Sequence, residues 1–259
     1  MPSAVVIKHA SGPDARTSAK VVDLVTPTLA ENQALVQVDA VSLNHRDLWL
    51  LRGVSYHAIR DGSIIGSDGV GRIARLSTPS NRLKVNDRVV VMPSIGWNDD
   101  PRGPEDETQY FLLDDAKIEK AIQLGAKGGA NYKKENWEED LLKATKGALI
   151  DVVIDGASGA NAPIILSKVL HQGGFFVNYG TTAGTLEWSM SAVGRNVELK
   201  ASTMGSRKEF EAMLEFVDKT KIRPIVSDVF KGLHKAHSAF EHLETGSQFG
   251  KVVITVKEN

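Results

Sequence analysis

The chain has 259 residues, of which 42% are hydrophobic and 24% charged, and its net charge is −1. This composition fits a globular protein with one large domain or two smaller ones, and it gives no sign of a nucleic-acid or membrane-surface ligand. The sequence has no cysteine, which excludes disulfides, thiolate zinc sites and a cysteine nucleophile. We find no signal peptide and no apolar run near the roughly 20 residues of a membrane span, and we expect a cytoplasmic protein.

The first hundred residues are predicted to be rich in strands. The short runs of Val and Ile that predict them are bounded by turn residues, at 4–8, 21–26, 34–40, 70–76 and 87–92. The segment NHRDLWLL (44–51) predicts a short helix with Asn44 or His45 near its start. Many short strands with few helices are typical of a small barrel or sandwich.

The segment GWNDDPRGPEDE (96–107) predicts a domain boundary because it is a polar loop rich in Pro, Gly and Asp. After it, strands are predicted at 110–113, 130–132, 149–155, 174–179, 198–202, 226–230 and 251–256. Helices are predicted at 115–124, 136–145, 161–170, 206–219 and 233–243, and Ser206 and Glu209 form a capping-box pattern. This alternation indicates an α/β arrangement with a parallel sheet that is covered on both faces.

Small residues follow three of the predicted strands, at the sheet edge where such proteins bind ligands. The candidate contacts are Gly156 and Ala157 after the first strand, Gly180, Thr181 and Thr182 after the second, and Met204 after the third. Small residues at these positions let the backbone approach a ligand closely. The alternative is that they form tight turns.

Two further patterns have more ordinary explanations. GSDGVGR (66–72) resembles a glycine-rich nucleotide loop, but it lies among the predicted strands of the first part, and we interpret it as a turn. HKAHSAFEH (234–242) contains histidines at the spacing of metal ligands. They lie largely off the apolar stripe of the predicted helix, so we interpret them as a solvated face and predict no metal site.

With these elements placed, the chain resembles the medium-chain dehydrogenase/reductase superfamily, in its zinc-less, quinone-reductase-like branch. The similar segments span nearly the whole chain: ALVQVDAVSLNHRDLWLLRG (34–53), IIGSDGVGRI (64–73), NDRVVVM (86–92), KIEKAIQLGAKGGANYKKENW (117–137), DVVIDGASG (151–159), GGFFVNYGTTAG (173–184), STMGSRKEFEAML (202–214) and FGKVVI (249–254). The resemblance implies a GroES-like β-barrel domain at 1–107, a Rossmann-type nucleotide-binding domain at 108–221, and a segment at 222–259 that returns to the barrel.

The resemblance also implies a reaction without zinc. Zinc members carry a Cys near the position of Asn44 and a His-Glu pair where this chain has Ser67 and Asp68, so the soft and imidazole ligands of zinc are absent at these places. Zinc-less relatives use NADPH to reduce an activated C=C or C=O. By matching position, Asn44 and Asp47 are candidate catalytic residues that face the nicotinamide, and Tyr56 is a candidate for the acceptor pocket. Asn44 and Asp47 could instead cap the helix at 44–51.

The cofactor predicted from the resemblance is NADP, with NAD as the alternative. Relatives bind the 2′-phosphate of NADP with a Lys and a Tyr that match Lys117 and Tyr132 in spacing, and these groups suit a phosphate. Asp114 and Asp115 give the opposite signal, because a carboxylate at this strand end usually binds the ribose hydroxyls of NAD. Asp115 could instead be a helix cap.

The chain departs from the family at one place. Roughly 80 residues are missing after Glu107, including the first Rossmann strand, which is central in the usual order 3-2-1-4-5-6, and its glycine-rich turn. We expect a reduced Rossmann-type sheet in which TQYFLL (108–113) takes the central place, the edges pair between subunits, or the domain is marginal. The predicted function is an NADP-dependent, zinc-independent oxidoreductase acting on a small enone, quinone or carbonyl compound, as a homodimer. The alternatives are an inactive binding or scaffolding remnant of the family, or a shortened product of a normal reductase.

Overall fold

The computed structural model describes residues 2–8, 18–53, 60–91, 110–113, 115–202 and 204–257. The chain divides into two compact units, one formed by Met1–Trp97 with Phe210–Asn259 and the other by Asn98–Glu209. None of the helices in these described ranges is long and apolar enough to cross a membrane. The exact boundaries predicted for the domains, at 107 and 221, stay predictions.

The first unit is built mainly from strands. Its elements are β1 (Ser3–Lys8), β2 (Ser18–Asp23), β3 (Ala34–Ser42), α1 (His45–Leu51), β4 (Asp68–Leu76), β5 (Arg88–Val91), β11 (Val226–Lys231), α7 (Ala236–Thr245) and β12 (Lys251–Thr255). Five strands form one sheet in the order β11-β12-β3-β4-β5, while β1 and β2 form an antiparallel pair. The last strand, β12, runs antiparallel to β3, so the end of the chain returns to the sheet of its beginning.

The core of this unit lies between the strands and two helices. Val252 and Ile254 of β12 are fully buried, and they pack with Ala239 and Leu243 of α7 and Leu48 of α1. His237 of α7 follows the predicted pattern, because it is exposed and pairs with Glu241 at 3.1 Å. His242, on the same helix, departs from it, because it is partly buried and its Nε2 lies 2.8 Å from Asp228 Oδ2. Among the described residues there is no group of three or more His, Cys, Asp or Glu side chains that could hold a metal ion.

The glycine-rich segment 66–72 belongs to the strand-rich unit, as expected, but only its start is a loop. Residues from Asp68 onward form β4, so the interpretation as a turn was wrong for most of the segment. Gly71 is needed there because a Cβ atom would lie 2.1 Å from the carbonyl oxygen of Gln37 on β3. The close approach falls at an irregularity in the β3–β4 pairing, where Val38 and Ala40 are out of step with their partners. Gly71 therefore allows β4 to approach β3 closely at this position.

The second unit has the α/β composition that was predicted. Its elements are β6 (Tyr110–Leu113), α2 (Asp115–Gln123), β7 (Gly128–Asn131), α3 (Trp137–Ala144), β8 (Ile150–Asp155), α4 (Asn161–Ile164), β9 (Leu170–Asn178), α5 (Met190–Gly194) and β10 (Glu198–Ala201), followed by α6 (Arg207–Thr220), which spans the division between the units. The helix predicted at 161–170 is α4 followed by a π-helical turn over Ile165–Val169. The short helix α5 was not predicted.

The strands of the second unit form two separate sheets. β6 and β7 are parallel neighbours in one, and β8, β9 and β10 are parallel neighbours in the other, in the order β10-β9-β8. In the usual order the missing first strand would lie between β6 and β8. Within the described chain β6 pairs only with β7, so the expectation that residues 108–113 take the central place was wrong for the described part of that segment.

The consequence of this separation is visible on β8. The side chains of Val152 and Ile154 are 37% and 65% exposed, although a central strand of a covered sheet would bury such residues. The core of the unit lies instead around β9 and its neighbours, where Leu166, Leu170 and Phe176 are fully buried. The predicted fold class, a GroES-like strand domain with a Rossmann-type parallel sheet that lacks its first strand, is therefore confirmed.

The capping box predicted at the start of α6 is also present. The backbone N–H of Glu209 donates to Ser206 Oγ at 3.2 Å, and the backbone N–H of Ser206 donates to Glu209 Oε2 at 2.6 Å. These bonds satisfy two backbone donors at the end of the helix.

Candidate active site

The first unit holds a polar cluster formed by Asn44, Ser67, Asp68 and Lys251, which we call the Asn44 cluster. The amide nitrogen of Asn44 donates to Asp68 Oδ2 at 3.0 Å and lies 3.4 Å from Ser67 Oγ. Its amide oxygen accepts a hydrogen bond from Lys251 Nζ at 2.6 Å. The Lys251 ammonium also lies 3.4 Å from Asp68 Oδ2. One amide thus links a carboxylate, a hydroxyl and a cation.

Strand pairing brings this cluster together from distant parts of the sequence. The backbone N–H of Leu43, just after β3, donates to the carbonyl oxygen of Val252 on β12, so Lys251 lies beside Asn44 although 207 residues separate them. Because side chains alternate along a strand, burial of Val252 places Lys251 on the opposite face. Lys251 was missed by sequence reasoning, since no local pattern connects it with Asn44.

Asp47 lies next to this cluster, at the start of α1, and is completely buried. Its Oδ2 accepts the backbone N–H of Asn44 at 2.9 Å, which is the helix-capping role that was its alternative interpretation. Its Oδ1 is buried without a hydrogen-bond partner among the described residues. Burial raises the pKa of the Asp47 carboxyl, against the opposing effect of the Asn44 backbone N–H.

His45 is the second titratable group of this helix start. Partial burial lowers the pKa of its imidazole, and the positive charges of Arg52 and Lys251 lower it further. The imidazole is therefore held toward its neutral form. Tyr56, the third candidate of this part of the chain, lies outside the described residues.

In the second unit, the three strand-end loops share one edge of a sheet, as predicted, because β8, β9 and β10 are parallel. Asn178, at the end of β9, joins two of them: its amide nitrogen donates to Ser158 Oγ at 2.9 Å and to the carbonyl oxygen of Gly180 at 2.8 Å. The same nitrogen lies 3.1 Å from Asp155 Oδ2. The two loops are therefore fixed to each other by a side chain that sequence reasoning did not select.

The glycines of these loops are explained by contacts between the loops themselves. A Cβ atom on Gly156 would lie 2.5 Å from the ring of Tyr179, and one on Gly180 would lie 2.8 Å from the carbonyl oxygen of Gly156. The carbonyl oxygen of Ala157 accepts the backbone N–H of Ala183 at 2.8 Å. The tight-turn alternative accounts for Gly156, Ala157 and Gly180 without a ligand.

The remaining strand-end candidates are exposed. Thr181 and Thr182 lie on the surface of the loop after β9, where Thr182 Oγ1 donates to the carbonyl oxygen of Gly156 at 3.3 Å. Met204, after β10, is 69% exposed and has a backbone φ of 51°, in the left-handed region. These side chains remain accessible to a ligand.

The predicted phosphate ligands, Lys117 and Tyr132, follow the carboxyl ends of the neighbouring parallel strands β6 and β7. Asp115 is the first residue of α2, Lys117 lies on the same helix, and Tyr132 is 39% exposed. Lys134 Nζ lies 3.1 Å from Asp115 Oδ1. The hydrogen bonds from Lys134 and Asn131 hold the pKa of Asp115 below its usual value. Asp114 lies outside the described residues.

Lys133 adds a further positive charge at this edge, with its ammonium 5.9 Å from the centre of the Tyr132 ring. The described residues of this edge carry three lysines, at 117, 133 and 134, and two carboxylates, Asp115 and Glu135, of which Asp115 is paired with Lys134. In the sequence, Asp115 favours NAD and Lys117 favours NADP. In the structure, the Asp115 carboxylate is paired with Lys134.

Two family models cover almost all of this architecture. Residues 30–130 match the alcohol dehydrogenase GroES-like domain, and residues 124–254 match the zinc-binding dehydrogenase family. The chain is 29% identical to a zinc-type alcohol dehydrogenase-like protein of Leptosphaeria maculans over 333 residues, covering 89% of this chain and 92% of the relative. That alignment is at least 74 positions longer than the 259 residues of the chain, so at least that many positions face a gap.

A zinc-type alcohol dehydrogenase-like protein of Schizosaccharomyces pombe is 28% identical over 148 residues, 55% of this chain and 42% of the relative. The chain thus spans less than half of that relative. Among solved structures, an NAD-dependent alcohol dehydrogenase superposes with a TM-score of 0.81 at 20% identity, covering 98% of this chain and 100% of the other. A mycobacterial quinone oxidoreductase superposes with a TM-score of 0.70 at 17% identity, covering 98% and 99%.

The two structures show the fold alone, whereas the family models match defined stretches of the sequence. The GroES-like match begins before β3 and the dehydrogenase match ends within β12, so together they include the Asn44 cluster and both sheets of the second unit. The chain therefore belongs to the zinc-binding dehydrogenase family of the medium-chain dehydrogenase/reductase superfamily, whose members are oxidoreductases.

Proposed function

We propose that the chain is an NADP-dependent, zinc-independent oxidoreductase that transfers hydride to a small enone, quinone or carbonyl compound. The observation that carries the cofactor preference is the Asp115–Lys134 ion pair of 3.1 Å. The pair compensates the Asp115 carboxylate, which would otherwise repel a 2′-phosphate, and it lies at the same edge as Lys117, Lys133 and Tyr132. Lysine and tyrosine side chains are suitable ligands for a phosphate, because hydrogen bonds that involve a charged group are stronger than those between neutral groups.

Zinc independence is supported by the chemistry of the Asn44 cluster. An amide, a hydroxyl and one carboxylate replace the sulfur and imidazole ligands that zinc prefers. The Lys251 ammonium contacts both Asn44 Oδ1 and Asp68 Oδ2, and a dication next to it would be repelled. These residues do not fit a zinc ion. Activity as a homodimer stays a prediction, as does the expectation that neither nucleic acid nor membrane is a partner.

Titration with NADPH and NADH, followed by nucleotide fluorescence and calorimetry, tests the cofactor. We expect NADPH to bind more tightly. Lys117→Ala and Tyr132→Phe should each weaken NADPH roughly tenfold or more, because a lost charge-assisted hydrogen bond costs about 1.5–3 kcal/mol, and should leave NADH unchanged. Lys143→Ala, on the exposed face of α3, is the matched control.

The competing function is a binding or scaffolding role without catalysis. It is motivated by the separation of β6 from β8, because the missing strand and glycine-rich turn would normally hold the pyrophosphate. Oxidation of NADPH in the presence of menadione or cyclohexenone would rule it out. Failure of NADPH to bind at millimolar concentration would instead end the proposed reductase function.

A further inference from the structure

Lys251 is held in a fixed position at the edge of the Asn44 cluster. Its ammonium lies 2.6 Å from Asn44 Oδ1 and 3.4 Å from Asp68 Oδ2, and Asn44 is itself fixed by Asp68 at 3.0 Å. An ammonium group carries three N–H donors and no acceptor. In the described structure two of these N–H donors face the oxygens of Asn44 and Asp68, and the third can bind one more acceptor.

A ligand could reach this donor because the Lys251 side chain is 41% exposed. An ion pair at this exposure contributes little to the stability of the folded chain, so stability alone does not explain why Lys251 is held in this position. Among the described residues, Asp68 is the carboxylate that forms an ion pair with Lys251. Burial and the nearby positive charges lower the pKa of the neighbouring His45 imidazole.

The chemistry of the three acceptor classes calls for such a group. When hydride from NADPH adds to carbon in a carbonyl compound, an enone or a quinone, the π electrons move onto the carbonyl oxygen, which becomes negative and finally takes a proton from water. A preoriented N–H from a cation stabilises that oxygen more than it stabilises the neutral ground state. Some electrophilic group must therefore polarise the carbonyl oxygen, whether it is a metal or a side chain. The ligand atoms of the Asn44 cluster do not fit a metal.

We infer that Lys251 donates a hydrogen bond to the carbonyl oxygen of the acceptor and is the electrophile of the reaction, with Asn44 and Asp68 as the residues that position it. The inference rests on the proposed function, because it concerns the acceptor of the same reaction. It assigns a catalytic role to a residue that the strand pairing of β12 with β3 alone brings to Asn44.

The test uses p-dimethylaminocinnamaldehyde, an enal whose absorption moves to longer wavelength when its carbonyl oxygen accepts a strong hydrogen bond. The whole chain should bind this probe with a long-wavelength shift. Lys251→Met, which keeps the length of the side chain, should lose the shift and lower kcat/KM for the enal about 100-fold, the size of effect seen when one such donor is removed. Lys251→Arg should retain the shift.

Lys231→Met is the matched control, since Lys231 is an exposed lysine on the neighbouring strand β11, and it should behave like the unaltered chain. Lys251→Gln is a second neutral variant that should also lose the shift, in case Lys251→Met does not fold. EDTA should leave the shift unchanged. The inference is overturned if the unaltered chain produces no shift, if the neutral variants keep it, or if EDTA abolishes it.

A parallel titration with NADPH separates this inference from the proposed function. Binding of NADPH without a shift of the enal would leave the reductase function standing and remove Lys251 as its electrophile. A shift that depends on Lys251 without any binding of NADPH would preserve the electrophilic site and remove the reductase function.

Discussion

At the start of α1, Asp47 and Asn44 make different kinds of contact. Asp47 caps the helix through the Asn44 backbone, while the Asn44 side chain contacts Asp68 and Lys251. A buried carboxylate is expensive to ionise. The capping alternative is confirmed for Asp47, whereas the catalytic role foreseen for Asn44 and Asp47 stays a prediction.

Asp47→Asn should stabilise the protein at neutral pH. The pKa of Asp47 in the folded chain is raised above its ordinary value of 3.8 by burial. Its contribution to stability is therefore fully present below that ordinary value and is lost as pH rises through the folded pKa. Asparagine keeps an oxygen for the Asn44 N–H but carries no charge. We expect the variant to gain about 1–3 kcal/mol relative to the parent at neutral pH and little in acid, by urea unfolding at several pH values.

Asp61→Asn is the control for this experiment, because Asp61 is a half-exposed carboxylate in the same unit, paired with Lys8 at 3.0 Å. The Asp61→Asn variant should not show the gain in unfolding free energy, relative to the parent, that we expect for Asp47→Asn at neutral pH. Parallel pH curves for the Asp47→Asn chain and its parent would contradict the assignment.

At the scale of elements, the missing strand divides the second unit. β8 has one described neighbour, β9, whereas β9 lies between β8 and β10. Val152 and Ile154 of β8 are exposed, as expected for an apolar strand that lacks one neighbour among the described residues.

Hydrogen exchange should detect this edge. Backbone N–H groups alternate in direction along a strand, so those of β8 that point toward β9 should be protected and the others should exchange rapidly. Strand β9, with a neighbour on both sides, is the internal control and should be protected along its length. Protection of both sets in β8, measured by NMR, would mean that a strand of another copy or of the undescribed chain pairs with it.

At the scale of the whole molecule, each unit has its own core. The buried cluster of the first unit contains Leu48, Leu243 and Val252, and that of the second contains Leu166, Leu170 and Phe176, with no residue in common. A domain is stable by only about 5–15 kcal/mol, so strand edges that lack a partner among the described residues, such as that of β8, would be a substantial burden for the core of the second unit.

Leu166→Ala should therefore act on the second unit alone. Removing this fully buried side chain should cost about 2–5 kcal/mol and lower amide protection across β8, β9 and β10, measured by hydrogen exchange and mass spectrometry. Leu243→Ala is the reciprocal variant and should lower protection in α7 and β12 of the first unit. Equal losses in both units from either variant would contradict two separate cores.

The sequence by itself determined the order of the elements except for α5, the strand-rich and α/β parts, the capping box at Ser206, the family and the absence of the first Rossmann strand. These follow from local periodicity and from motifs whose residues are contiguous. Tertiary structure alone decided where β6 would pair, that Lys134 compensates Asp115, that Asn178 reaches Ser158 in the loop after β8, and that Lys251 lies beside Asn44. Each of these depends on strand pairing or side-chain contacts between residues distant in sequence, and periodicity carries no information about them.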